Sequence, residues 1–340
     1  MDIKRVGREL GVRYVLEGSV RKAGNRVRIT GQLIQADTGA HIWAERYDGE
    51  ITDVFDLQDK VTLDVVGAIT PKLERAEIER MQYKPTESHH AYDCYLRGSA
   101  LNYAGLDKLK EARHWFYRAI ELDPDYAPAY AWAAITYSRG KGQGITLDEA
   151  AASEAIRLAT RAAQLDSEDS LVLSLAGWVL AFVAGDLVTA ASMVSRAVAL
   201  HPNLAPAWGM SGWISTWLGK PDMAGEHFVR AVRLSPRDPN VHFVHSGSAH
   251  AHMMAGRYDE ALSSALKAVE ERPAAANYRI AAASAALAGQ INEAKIFAGL
   301  LLQADPQRRM SNLGEVLGPY KRAEDIERYK EGLRLAGLPE

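Results

Sequence analysis

From about residue 90 to residue 306, apolar and small side chains recur three and four residues apart, in blocks that end on Pro or Ser. Taking Pro124, Ser167, Pro202, Pro236, Pro273 and Pro306 as equivalent ends gives spacings of 43, 35, 34, 37 and 33 residues. Counting back 12, 8 and 5 residues from each end gives Ala112, Phe116 and Ala119; Ala155, Ala159 and Ala162; Ala190, Val194 and Ala197. The last three ends give Ala224, Phe228 and Ala231; Ala261, Ala265 and Ala268; Ala294, Ala298 and Leu301. Steps of three and four residues place each trio on one helix face. Small residues there let a second helix lie close against a first, and Pro cannot extend the helix it follows. Leu96, Ser99, Ala100 and Tyr103, and in the fourth unit Trp208, Ser211, Gly212 and Ser215, supply the facing positions of the first helices. A fixed period of this length marks a stacked repeat array. The pattern predicts about six helix pairs over residues 92–312, with an insertion of about nine residues around Gly140-Lys141-Gly142-Gln143-Gly144.

The first fifth of the chain follows a different rhythm. Residues 3–10 read as a helix stopped by Gly11, a residue favoured just past a helix end. Residues 14–22, 26–35 and 40–47 are rich in Val, Ile and Leu and are separated by turns containing Gly24 and Gly39, which predicts a three-stranded antiparallel meander. Asp53 opens a long helix through Gln82, with Val54, Leu57, Val61, Val65 and Ile69 on one side. Three strands and two helices make a thin core with open sheet edges. The expected organisation is a small incomplete α/β domain at 1–83 and a polar linker at 84–91. The repeats follow at 92–312, with a capping helix and tail at 313–340, the helix spanning residues 323–335. The fold class is mainly α, an α-solenoid behind a small α/β domain.

Trp208, Gly212, Ala224, Phe228, Ala231 and Pro236 stand at the spacing of the tetratricopeptide repeat, which the array resembles; Ser211 and Ser215 depart from that pattern's Leu and Tyr. Residues 7–20 (Gly7-Arg8-Glu9-Leu10-Gly11 through Gly18-Ser19-Val20) and 37–48 (Asp37-Thr38-Gly39-Ala40-His41-Ile42-Trp43 through Tyr47-Asp48) are similar to a TolB-N-terminal-like domain. In bacteria that domain followed by these repeats stands behind a class III adenylate/guanylate cyclase catalytic domain or a winged-helix DNA-binding domain. Pro319-Tyr320-Lys321-Arg322 and Gly337-Leu338-Pro339-Glu340 resemble the tail of the cyclase-linked group. The resemblance implies a regulatory segment. The family's domain begins with a further strand, helix and strand that this sequence lacks, and no stretch offers the paired metal-binding aspartates of a cyclase. The expectation is a non-enzymatic chain; one alternative is a C-terminal segment of a class III cyclase or of a winged-helix regulator, and a free-standing protein is the other.

Composition narrows the partners. Of 340 residues, 40 are Lys or Arg and 43 are Asp or Glu, for a net charge of −3. That balance gives no general attraction to nucleic acid or anionic membrane. Cys94 is the single cysteine, so no intrachain disulfide forms. No signal-peptide core and no 20-residue apolar span stand out, which predicts a cytoplasmic protein.

Candidate chemistry is sparse. Gly140 to Gly144 lacks the spacing of a phosphate loop. His242, His245, His250 and His252 lack the i, i+4 acid-flanked pattern of a metal helix, so no metal and no cofactor are expected. Arg21, Lys22, Arg26 and Arg28 read as a solvated hairpin, and Glu45, Asp48, Glu50, Asp53 and Asp56 as carboxylates capping the helix that follows. Cys94 reads as a buried thiol. What remains is a concave wall built from the first helix of each pair. Arg97, Trp213, Trp217, His250 and Met253 are predicted to lie on or near it, and such residue types dominate binding hot spots. The function expected is a scaffold for a protein or peptide partner, for example a cyclase or another signalling domain.

Overall fold

The computed structural model describes residues 3–50, 91–236 and 238–340. The chain forms two compact units, residues 1–84 with 234–238, and residues 85–233 with 239–340.

In the first unit, helix α1 (Ile3–Leu10) precedes strands β1 (Tyr14–Ala23), β2 (Arg26–Gln35) and β3 (His41–Glu50). The strands pair antiparallel in the order β1-β2-β3, with a register shift at Leu33/Ile34. Gly11, Gly24 and Gly39 supply the left-handed backbone at the three turns. Val27, Ile29 and Leu33 alternate onto one face of β2 and lie opposite Gly49, Tyr47 and Trp43. Leu33 and Trp43 are each 3% exposed. One sequence expectation changes here. β3 runs three residues past Tyr47, and two of its acids pair within the sheet unit. Asp48 accepts from Arg28 across the strands at 2.6 Å, and Glu50 accepts from Asn25 at 3.2 Å. Asp53, Asp56, the long helix 53–82 and most of the linker at 84–91 lie outside the described residues.

The second unit is a run of helix pairs. They are α2 (Ala91–Ala104) with α3 (Leu109–Leu122), α4 (Ala127–Gly142) with α5 (Glu149–Leu165), and α6 (Ser170–Ala184) with α7 (Leu187–Leu200). The remaining pairs are α8 (Ala205–Trp217) with α9 (Pro221–Leu234), α10 (Val241–Met254) with α11 (Tyr258–Glu271), and α12 (Ala275–Leu287) with α13 (Ile291–Ala304). All eighteen residues of the small-apolar register are buried, none more than 4% exposed. The stops are equally regular. Asp123, Asp166, His201, Arg272 and Asp305 each cap a second helix in extended or near-extended backbone, and each amide closes onto a register carbonyl four residues back. Pro after four of these caps explains the geometry, because its ring disfavours helical backbone in the residue before it. The second unit's insertion lengthens α4 to 16 residues and α5 to 17 and adds the loop 143–148.

After α13 the chain leaves the repeat. Residues 306–322 hold a single 3₁₀ turn (Leu313–Glu315) and lead into α14 (Ala323–Leu335). This last helix packs on α12 so closely that a Cβ on Gly332 would stand 2.7 Å from the Ala283 carbonyl.

Candidate functional site

The first helices of successive pairs pack on one another, α4 on α6, α6 on α8, α8 on α10 and α10 on α12, and form one wall of the solenoid. α4, α6, α8, α10 and α12 contain no Asp or Glu. Asp93 is buried on α2, the first helix of the first pair; the other acids of the pairs lie on second helices and in loops, and more lie in the C-terminal stretch. α6, Ser-Leu-Val-Leu-Ser-Leu-Ala-Gly-Trp-Val-Leu-Ala-Phe-Val-Ala, is apolar all round, and a helix of that kind must be covered on every side.

At the centre of this wall the aromatic rings of three helices meet. Trp178 and Phe182 of α6 stack at 5.2 Å, and Phe182 lies nearly parallel to Trp217 of α8 at 5.7 Å. Trp178 also meets Phe243 of α10 edge-on at 4.9 Å, which links the third pair to the fifth. Trp213 stands 4.9 Å from the His250 ring and donates its indole N–H to the Phe243 carbonyl at 3.0 Å. Trp178 donates to Ser138 Oγ at 3.2 Å. The indole N–H groups of Trp178 and Trp213 are thus satisfied inside the wall, and their ring faces do the packing.

The cover is the chain's own C-terminal stretch. Met310, Leu313, Val316, Leu317 and Tyr320 are buried, between 0% and 8% exposed. Each such side chain contributes about 1.5–3 kcal/mol when fully buried. The stretch follows the ends of the first helices. Thr146, after α4, hydrogen-bonds Glu315 at 3.1 Å, and Pro319 lies beside Gly185, after α6. Gly318 faces the Trp217 indole, where a Cβ would stand 2.2 Å from the ring. The Lys321 amide donates to the Trp217 carbonyl at 2.8 Å. The Tyr320 hydroxyl meets His250 Nδ1 at 2.5 Å, and Arg328 of α14 donates to the Met254 carbonyl at 2.6 Å.

The wall's cations are held without carboxylates among the described residues. Lys141 donates to the Phe182 carbonyl at 2.7 Å, Arg279 to the Tyr329 hydroxyl at 3.3 Å, and Arg139 to the Asn102 carbonyl. Burial, then the neighbouring Arg272, brings Arg139 down to about 10. Burial, then Arg279, pushes His250 down to about 3, so it meets Tyr320 as a neutral imidazole. Burial raises the Tyr320 phenol well above its usual range, so the hydroxyl keeps its proton. His242 falls to about 4, through burial first and then Arg272 and Arg139. His242 Nδ1 lies 3.4 Å from the Asn277 amide, and His252 Nδ1 accepts from Arg257 at 3.1 Å. Among the described residues no group of three or more His, Cys, Asp or Glu stands where it would hold a metal ion.

The structure brings Trp213, Trp217, His250 and Met253 into one cluster and buries all four, Trp217 to 1% and Met253 to 0% exposed. Arg97 lies instead over the Trp115 ring of its own pair at 4.9 Å. Sequence reading missed Trp178, Phe182, Phe243 and Tyr320. It also missed the left-handed glycines that end α6, α8, α10 and α12: Gly185, Gly219, Gly256 and Gly289. A findable signal was present, because each stands 17 residues before its closing Pro. Cys94 is buried, as expected of a packing thiol, and burial raises its pKa. Among the described residues no helix is long and apolar enough to cross a membrane.

Comparison with known proteins agrees with this architecture. Residues 94–126 match the family model described as tetratricopeptide repeat. A 173-residue stretch is 42% identical to a protein named "Putative adenylate cyclase 3" from Rhizobium meliloti (strain 1021), covering 49% of this chain and 29% of that protein. The chain therefore spans less than a third of that relative's length. Among solved structures, the human IFIT1 dimer with m7Gppp-AAAA aligns at TM-score 0.55 and 17% identity, over 74% of this chain and 56% of that one. The APC/C hetero-tetramer Cut9-Hcn1 aligns at TM-score 0.54 and 16% identity, over 83% and 49%. At such identities the likeness is one of fold: residues 91–304 form a tetratricopeptide-repeat solenoid.

Proposed function

We propose that this tetratricopeptide-repeat solenoid is a protein-interaction scaffold, the regulatory segment of a bacterial signalling protein, and that it engages a protein or peptide through its inner wall. The observation that carries the reading is the composition of that wall. Its centre is a contiguous group of Trp, Phe, His and Met side chains with no carboxylate on α4, α6, α8, α10 or α12, closed by an irregular stretch and not by a further repeat. Aromatic anchors in a desolvated setting are what protein partners use for most of their affinity. The net charge of −3 argues for a protein partner over nucleic acid or a membrane surface, and the reading places the chain in the cytoplasm. Arg97, Trp213, Trp217, His250 and Met253 are the proposed contacts. Partner capture by the purified chain, repeated with Arg97→Ala, Trp213→Phe and His250→Phe, tests it. The reading expects capture to fall at least tenfold with helicity retained; unchanged capture across all three would overturn it.

A second reading is favoured by the 42% identical relative. In it the chain is the C-terminal part of a class III adenylate/guanylate cyclase, residues 1–83 are part of a TolB-N-terminal-like domain, and 84–91 is the linker to the repeats. Cyclic nucleotide synthesis then belongs to a catalytic domain outside this sequence, and the solenoid regulates it. A winged-helix regulator would fit the same arrangement. The reading frame upstream of Met1 distinguishes them: a cyclase domain, a winged helix, or a stop codon each selects one account.

A further inference from the structure

The stretch that seals the inner wall is attached in an unusual way. Arg308 pairs with Asp305 at 2.9 Å and lies 3.9 Å from Glu315; Arg322 pairs with Asp325 at 2.8 Å and Glu324 at 3.5 Å. Among the described residues, every ion pair of these two arginines therefore ends within residues 305–325. The helices beneath them offer no partner, since α4, α6, α8, α10 and α12 carry no acid. What joins the stretch to the wall helices is Gly318 flush on Trp217, the Lys321 amide on the Trp217 carbonyl and the Tyr320 hydroxyl on neutral His250, beside the buried Met310, Leu313, Val316 and Leu317; the Glu315 carboxylate accepts from Thr146 in the loop after α4. A stretch of turns thus lies across the third, fourth and fifth pairs, its two arginines paired with acids at its own ends, Asp305 and Asp325, and not with the wall. Among the described residues no ion pair of Arg308 or Arg322 ties it to the first helices.

We propose that residues 308–322 are a resident ligand of the inner wall, an internal peptide that a partner must displace. Its chemistry defines the partner's: a segment with a small residue, then Pro, then an aromatic side chain bearing a hydroxyl. The small residue is required because nothing larger fits between backbone and the Trp217 indole. The hydroxyl is required because His250 Nδ1 faces it at the floor of the groove. The proposal rests on the scaffold reading and adds its regulation: the wall is closed in this state, and release of the C-terminal stretch opens it.

The test uses the full chain and a fluorescent synthetic peptide of residues 306–323 added in trans. In Gly318→Val the branched side chain cannot sit on Trp217, so the internal copy is expelled while the wall is unaltered. The variant is expected to bind the free peptide at least tenfold more tightly than the wild-type chain. Equal binding, or binding by neither, would overturn the proposal. Hydrogen exchange of the unaltered chain decides independently of whether the variant folds. The Lys321 amide is expected to exchange at least tenfold faster than amides inside α6 and α8, whereas equal rates would make the stretch a fixed part of the core and remove the idea. The two readings fail separately. A partner captured equally by wild type and Gly318→Val leaves the scaffold standing and removes the gate. Peptide exchange without any loss of partner capture in the wall variants leaves the gate and removes the scaffold.

Discussion

Gly212 and Phe228 meet so closely that a Cβ on the glycine would stand 2.6 Å from the phenyl ring. Gly98 and Phe116 repeat the relation in the first pair, at 2.7 Å. In both pairs the ring of the second helix rests directly on the backbone of the first, and it is this contact that sets how near the helices lie. Gly212→Ala must therefore push the pair apart or move Phe228 from its rotamer. Overpacking of this kind costs about 1–3 kcal/mol. Thermal unfolding followed by circular dichroism should show a fall of about 2–4 °C per kcal/mol for a unit of this size. A melting temperature equal to the wild type would show that the contact is slack.

Two further glycines separate backbone strain from packing. Gly256 has φ +76°, and Gly299 lies in the exposed face of α13; a Cβ on either would meet nothing within 4 Å. Gly256→Ala should destabilise by about 1–2 kcal/mol, because an L side chain resists the left-handed region. Gly299→Ala should stabilise by about 0.5–1 kcal/mol, because alanine loses less entropy in a helix. Urea unfolding of the two variants should move the midpoint in opposite directions, and a shift of the same sign would contradict the assignment of either position.

Among the described residues, the sheet of the first unit has an edge strand with exposed apolar side chains. β1 lies at one side of the order β1-β2-β3, and its Leu16 and Val20 are 53% and 70% exposed. A charged side chain on an edge strand blocks edge-to-edge association. Val20→Lys should lower self-association at high concentration, measured by light scattering, while the far-ultraviolet spectrum stays the same. Scattering that does not change would move the association surface elsewhere.

The helix pairs were readable because their signal is local and repeats. Ala112, Phe116 and Ala119 lie within eight residues of one another, and the same trio recurs before each stop. The meander was readable for the same reason, from alternation and from Gly24 and Gly39. The seal on the inner wall was not readable. Residues 306–322 have no period, and their partners are distant in sequence: Tyr320 reaches back 70 residues to His250 and Glu315 reaches 169 to Thr146. The same distance explains Trp217 and His250. Their register placed them on the first helices, but only the fold says that a segment from the far end of the chain covers them. The cross-strand pairing of Asp48 with Arg28, 20 residues away, was not readable for a similar reason.

The buried histidines make stability depend on pH in a definite direction. His250 is held down to about 3 and His242 to about 4, each by burial first. His227, His245 and His252 are displaced the same way, also by burial first. In the unfolded chain these groups titrate near 6.5. A histidine whose folded pKa lies below its unfolded one contributes its full stability above the unfolded value. It loses that contribution as pH falls from about 6.5 toward the folded value, because the unfolded state then binds the extra proton. Between pH 6.5 and 5 the carboxylates stay largely ionised, so the histidines dominate, and His250 and His242 should each withdraw about 2 kcal/mol. The urea midpoint should therefore fall on going from pH 7 to pH 5. His250→Gln offers Tyr320 a polar partner but cannot take up a proton, so its midpoint should fall less over the same interval. Identical pH profiles for the two proteins would mean that His250 is hydrated and that the seal over the inner wall is open in solution.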